Sequence, residues 1–188
     1  MACDFCVAVT ATFRTLYVFV ILEHASRRVL HVNVTSHPTA QWTMQQLREA
    51  IPADYPYRFV IHDRDAIFSK EVDQSSRHMG LRVLKTPVRT PVANAICERV
   101  IGTLRRECLD FMILLNARHL YHILHEWVAH YNEGRPHMSL GPGIPQPRPA
   151  LPVTPQAPRH QIATGQRVVA QFVLGGLHPD YRLEKRAA

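Results

Sequence analysis

The sequence predicts an α/β protein: a mixed five-stranded sheet flanked by helices, followed by a proline-rich C-terminal extension. Three observations carry this expectation. Three apolar runs rich in Val, Ile, Phe and Tyr come in succession before any helical period begins. Two further runs alternate with helical segments, so the order reads βββαβαβαα, which suits mixed strand directions and not a doubly wound sheet. Finally, residues 136–158 hold eight of the fourteen prolines, the mark of an extended arm.

The elements follow in order. A first strand is expected over 4–10, a stronger one in LYVFVILEH (16–24), and a third in ASRRVLHVNVT (25–35), together an antiparallel meander. The period then changes. Trp42, Met44, Leu47 and Ile51 recur at helical spacing between a Thr39 start and a Pro52 stop. RFVI (58–61) is nearly continuous in apolar residues, as suits a central strand covered on both faces. A helix over about 69–79 ends at Gly80, where a C-terminal glycine belongs. LRVLKTP (81–87) is a fifth strand closed by Pro87. Helices are expected over 94–113, with Ile96, Val100, Leu104 and Phe111 on one stripe, and over 117–132, with Leu120, Ile123, Leu124, Trp127, Val128 and Tyr131. The last stretch has one strand-like run, a Gly-Gly turn and a basic finish, which suits a small hairpin. The expected organisation is a core over 1–135, a proline-rich linker over 136–160 and a hairpin or tail over 161–188.

Composition narrows the function. Hydrophobic residues make up 46% of the 188, enough for a core. Lys and Arg number 22 against 15 Asp and Glu, a net charge of +7, which favours polyanionic partners and nucleic acid first. Cys3, Cys6, Cys97 and Cys108 are too scattered for a disulfide scaffold, and the lone C-x-x-C of Cys3 and Cys6 has no second pair at zinc-site spacing. They read as reduced thiols. No apolar run reaches membrane-spanning length, and MACDFCVAV lacks the basic start of a signal peptide. A soluble, cytoplasmic protein is the expectation.

RFVI ends abruptly in His62, Asp63, Arg64 and Asp65. Asp63 closes a strand that such a sheet can set beside the first, where Asp4 lies, and Glu98 falls one turn into the helix after the last strand. Carboxylates on rigid elements are what two-metal phosphoryl transfer requires, with two ions about 3.5–4 Å apart. Taken singly, each acid has an ordinary reading: Asp4 as a surface acid, Asp63 as a paired turn residue, Glu98 as an i,i+4 partner. Twelve histidines raise the question of a histidine site. His119, His122 and His125, however, step by three residues and drift around the helix, so they read as a polar flank. His62 reads as a structural strand-end residue.

The order of motifs brings in a resemblance. KTPVRTPVANAICERVIGTLRREC resembles the signature of insertion-sequence transposases of the DDE group, relatives of retroviral integrases with a ribonuclease-H-like core. Thr90, Pro91, Asn94 and Ala95 precede Glu98 as in that family. Asp63, Arg64, Asp65 and Phe68 match its middle-acid step, and WVAHYNEGRPHMSLG (127–141) is similar to its closing element. The resemblance covers about residues 3–147. Between Asp63 and Glu98 lie 34 residues, close to the family spacing, whereas Asp65 would leave 32.

The resemblance implies a DNA transposase or integrase core in which Asp4, Asp63 and Glu98 are catalytic and hold two Mg²⁺ or Mn²⁺ ions. It also implies DNA partners, both element ends and target, and a homo-oligomer. Lys85, Arg89, Asn94, Arg99, Arg105 and Arg106 are then DNA-binding candidates, the basic ones fixing phosphates without reading sequence. Arg135 and His137 either close the last helix or touch DNA. The family also carries an amino-terminal helix-turn-helix region that has no counterpart here. The chain is therefore expected to be a truncated product or half of a split frame. The competing expectation is a non-catalytic DNA-binding remnant that regulates a full-length transposase.

Overall fold

The computed structural model describes residues 1–51, 57–86, 94–141, 143–146, 162 and 164–185. Two compact units are present, Met1–His125 and Glu126–Ala188. The expected linker over 136–160 falls largely outside the described residues.

The first unit holds the mixed five-stranded sheet. Its strands are β1 (Ala2–Val9), β2 (Thr15–Leu22), β3 (Val29–Thr35), β4 (Phe59–His62) and β5 (Arg82–Lys85), in the order β3-β2-β1-β4-β5. β1, β2 and β3 run antiparallel, with Phe5 opposite Phe19 and Val20 opposite Val32. β4 joins the other edge of β1 in parallel, and β5 extends it in parallel. The meander and the parallel pair are therefore joined at β1.

Alternation gives the sheet two faces. On one, Cys3, Phe19, Ile21 and Val60 meet Leu47 of α1 (Ala40–Ala50) and Val72 of α2 (Lys70–His78), with Phe68 and Leu81 completing the cluster. Phe5 stacks on Phe19 with ring centres 4.5 Å apart. The even-numbered residues of β1 point the other way, towards α3 (Ala95–Glu107), which packs on β1 and β2.

Local chemistry explains most boundaries. The Thr39 hydroxyl caps α1 by accepting the Trp42 N–H at 3.2 Å. α2 ends at Gly80, whose φ of +82° costs a residue without a Cβ little. The expected helix over 94–113 is shorter than its apolar pattern implied. It stops at Glu107, a 3₁₀ turn follows over Leu109–Phe111, and the chain then extends so that the Leu114 carbonyl accepts the Ala11 N–H at 2.7 Å. No Gly or Pro announces this break; the anchor is a β1–β2 turn remote in sequence. α4 (Ala117–Glu133) begins where Asn116 Oδ1 accepts the His119 N–H at 2.9 Å.

In the second unit the RPH element closes α4. Gly134 and Arg135 N–H groups donate to the His130 carbonyl at 2.8 and 2.9 Å, and the His137 N–H to the Gly143 carbonyl at 2.8 Å. The His137 ring meets Tyr131 edge-on at 4.5 Å. The Arg135 N–H and the His137 ring, whose Nε2 lies 3.4 Å from the Tyr131 carbonyl, both contact the last turn of α4. Gly134 suits its place because a Cβ there would lie 2.8 Å from Asp180 Oδ1. β6 (Gln166–Val173) and β7 (His178–Lys185) form the antiparallel hairpin.

Leu104, fully buried on α3, tests the packing. Leu104→Ala should cost about 2–5 kcal/mol in urea unfolding, whereas Phe13→Ala, at a residue 89% exposed, should stay within about 0.5 kcal/mol.

Candidate active site

Sheet order decides which acids meet. In the parallel pair Ala2 lies opposite Ile61. Two residues further along each chain come Asp4 and Asp63, level with one another and on the same side by the two-residue period. Asp4 is held from two directions. Its Oδ1 accepts the Phe5 N–H at 2.8 Å, and its Oδ2 accepts Asn94 Nδ2 at 3.3 Å. Asn94 also reaches the Cys3 carbonyl at 3.4 Å. Since Asn94 is the N-cap of α3, these bonds tie the start of that helix to β1. Glu98, exposed, stands one turn further along it.

Asp63 is half-buried where β4 ends. Its Oδ1 accepts the Asp65 N–H at 2.9 Å, and Asp65 Oδ1 accepts the Ile67 N–H at 3.0 Å, two successive Asx turns. Arg64 Nε donates to the Thr86 carbonyl at 3.0 Å.

Burial pushes the Asp4 carboxyl up to about 7; the Phe5 N–H opposes the shift, and the charges of Asp63, Glu98 and Asp65 add to it. Acids remote in sequence thus act on one another here. Among the described residues, no three His, Cys, Asp or Glu side chains are grouped so as to hold a metal ion. The chemistry of the donors nevertheless fits a hard divalent cation. They are carboxylate oxygens whose mutual repulsion a cation would relieve, and beside Asp4 the buried Asn94 Oδ1 has no hydrogen-bond partner among the described residues.

The DNA-binding candidates divide. Arg99 and Arg106 are exposed on α3. Arg105 is exposed too, and its Nη2 donates to the Val7 carbonyl of β1 at 2.9 Å. Lys85 Nζ lies 2.6 Å from Asp73 Oδ2, so its charge is held by an acid of α2. Asn94 is 2% exposed and its Nδ2 points at Asp4 and the Cys3 carbonyl. Arg89 lies outside the described residues.

All four cysteines are free and buried. Burial raises the Cys6 thiol to about 11 and the Cys97 thiol well above its usual range. Three residues apart on one strand, Cys3 and Cys6 face opposite sides of the sheet, which separates the C-x-x-C pair. No helix among the described residues is long and apolar enough to cross a membrane.

The fold has counterparts. The Mos1 transposase catalytic domain, solved with raltegravir and Mg, superposes with a TM-score of 0.57 at 14% identity, over 68% of this chain and 69% of that one. A chain of the simian T-cell lymphotropic virus intasome, solved in complex with PP2A regulatory subunit B56 gamma, gives 0.61 at 14% identity over 96% and 65%. Residues 79–145 match the integrase core domain family. The fold is that of an integrase-type core. Transposase InsD for insertion element IS2A/D/F/H/I/K of Escherichia coli is 27% identical over 129 residues, 64% of this chain and 42% of that protein. The chain spans between 42% and 59% of the length of the curated relatives it matches. Asp73 of α2 is buried beside this site. It sits on a short helix among polar residues, and nothing local signals that its carboxylate turns inward.

Asp4 makes a pH prediction for the metal-free protein. Its pKa is raised from 3.8 to about 7 in the fold. The destabilisation is therefore absent well below the lower value, grows as pH rises between the two, and is complete above about 7. Asp4→Asn should raise the unfolding free energy more at pH 8 than at pH 3, by an excess on the order of 1–3 kcal/mol. Urea unfolding at the two pH values checks it; an equal effect at both would remove the strain assigned to Asp4.

Proposed function

We propose that the unit Met1–His125 is the catalytic core of a DNA transposase that cuts and joins phosphodiesters, with Asp4, Asp63 and Glu98 holding two Mg²⁺ or Mn²⁺ ions. One observation carries the reading: strand register sets Asp4 of β1 level with Asp63 at the end of β4, and Asn94 ties Asp4 to the start of α3, one turn before Glu98. A structural core has little reason to gather carboxylates between two interior strands and a helix, because like charges oppose one another's ionisation.

Bound ions supply electrophilic activation of the scissile phosphodiester and acidify the attacking hydroxyl. The chain supplies the rest. Asp4 is aimed by the Phe5 N–H and Asn94, and Asp63 is fixed by its turn. Glu98, exposed on α3, can turn towards the other two when substrate enters. Arg99 and Arg106, with Arg105 tethered to β1, offer cations for phosphates along the same helix. In the first step water displaces the 3′-oxygen at an element end, leaving a 3′-hydroxyl and a 5′-phosphate. In the second, that hydroxyl attacks a target phosphodiester, forming one P–O bond as another breaks, with no covalent protein intermediate. Joining two ends calls for a homo-oligomer working on nucleoid DNA.

A second reading, a non-catalytic DNA-binding remnant that regulates a longer transposase, is favoured by the lack of a ready three-ligand group among the described residues.

A branched DNA mimicking the strand-transfer product distinguishes the two, because it bypasses recognition of an element end. With Mg²⁺ or Mn²⁺ the purified chain should cleave and rejoin it. Asp63→Asn and Glu98→Gln should lose more than the roughly 10–100-fold that outer-shell partners typically cost. Retained DNA binding with no reaction by the folded wild-type chain would favour the remnant.

A further inference from the structure

Behind Asp63 lies a chain of polar contacts that the catalytic reading leaves unused. His62, the last residue of β4, is 1% exposed. Its Nδ1 donates to the main-chain carbonyl of Asp63 at 2.7 Å, and its Nε2 meets Oδ1 of Asp73 at 3.1 Å. Asp73, on α2 and 5% exposed, places its other oxygen 2.6 Å from Lys85 Nζ at the end of β5. The His62 ring is clamped from one side by Phe68, stacked at 4.4 Å and 17°. Residues of β5, α2 and β4 thus form one polar chain whose last link, His62, ends on the peptide that carries the Asp63 side chain.

We propose that His62 and Asp73, backed by Lys85, are positioning residues that aim the Asp63 carboxylate at its metal ion. The proposal rests on the reading of Asp63 as a ligand. A buried carboxylate is costly unless paired, and pairing with Lys85 alone would satisfy only one of its oxygens. The second oxygen is directed at His62, whose far nitrogen donates to the Asp63 carbonyl, in one of the two peptide groups that fix the direction of the Asp63 Cα–Cβ bond. A second clamp works from the opposite side of the turn, where the Thr86 N–H donates to the His62 carbonyl at 3.1 Å and Arg64 Nε to the Thr86 carbonyl at 3.0 Å. A ligand held at both flanks of its own peptide has little freedom, and outer-shell partners of this kind set metal affinity through ligand orientation. The same contacts draw Lys85 away from a role as a phosphate-binding cation.

The test reads metal binding directly. Free Mn²⁺ is followed by electron paramagnetic resonance during titration of the full chain, as wild type, Asp63→Asn, Asp73→Asn, His62→Gln, Lys85→Met and Lys85→Arg, each checked for folding by urea unfolding. Asp73→Asn and His62→Gln should weaken Mn²⁺ binding by about 10–100-fold at temperatures where they are folded. Lys85→Arg should bind more tightly than Lys85→Met. A purely structural role would lower stability and leave the Mn²⁺ affinity of the folded protein unmoved. If Asp63→Asn loses binding while folded Asp73→Asn and His62→Gln stay within about 2-fold of wild type, against the expected outer-shell effect, the positioning proposal is overturned and the role of Asp63 stands. If Asp63→Asn binds Mn²⁺ as wild type does, both fall. Should Asp73→Asn not fold, His62→Gln and the Lys85 pair decide the matter.

Discussion

Everything at the candidate site depends on the position of β1 between two unlike neighbours. Along one edge it pairs antiparallel with β2 over the whole strand, Ala2 opposite Leu22 through Val9 opposite Thr15. Along the other it takes β4 in parallel, Ala2 opposite Ile61. Because side chains alternate, this register sends Cys3 and Phe5 to the apolar cluster of α1 and α2 and turns Asp4 towards α3. A slip of one residue would reverse both outcomes, burying a carboxylate among Phe19, Ile21 and Leu47.

The arrangement sets stability against function. Burial raises the Asp4 carboxyl and the charges of Asp63, Glu98 and Asp65 add to it, and the sheet would be more stable without that cost. The surroundings limit the damage locally. Backbone and amide donors hold Asp4, Asx turns hold Asp63 and Asp65, and Asn94 joins α3 to β1. Such local investment in an electrostatically unfavourable cluster is what a cation-dependent site demands, since a bound ion reverses the sign of the balance.

Legibility varied with the range of the interaction. The Thr39 cap, the Gly80 stop and the strand character of 16–24 are near-neighbour effects, and the structure has them where their residues indicate. The span 94–113 reads as one helix because its apolar spacing continues past Glu107, whereas the helix stops there and the chain beyond it pairs Leu114 with Ala11, a partner remote in sequence. Lys85 and Arg105 read as free cations because their partners, Asp73 and the Val7 carbonyl, lie on other elements.

The sequence alone determined the succession of strands and helices, the basic surface charge and the ordered motifs around Asp63 and Glu98, since these rest on local periodicity and residue type. Tertiary structure decided which acids lie together, which cations remain available and that His62 joins Asp73 to the Asp63 turn. Those outcomes follow from strand register and helix docking, where side chains as far apart in sequence as Asp4 and Asn94 become neighbours that no local pattern can specify.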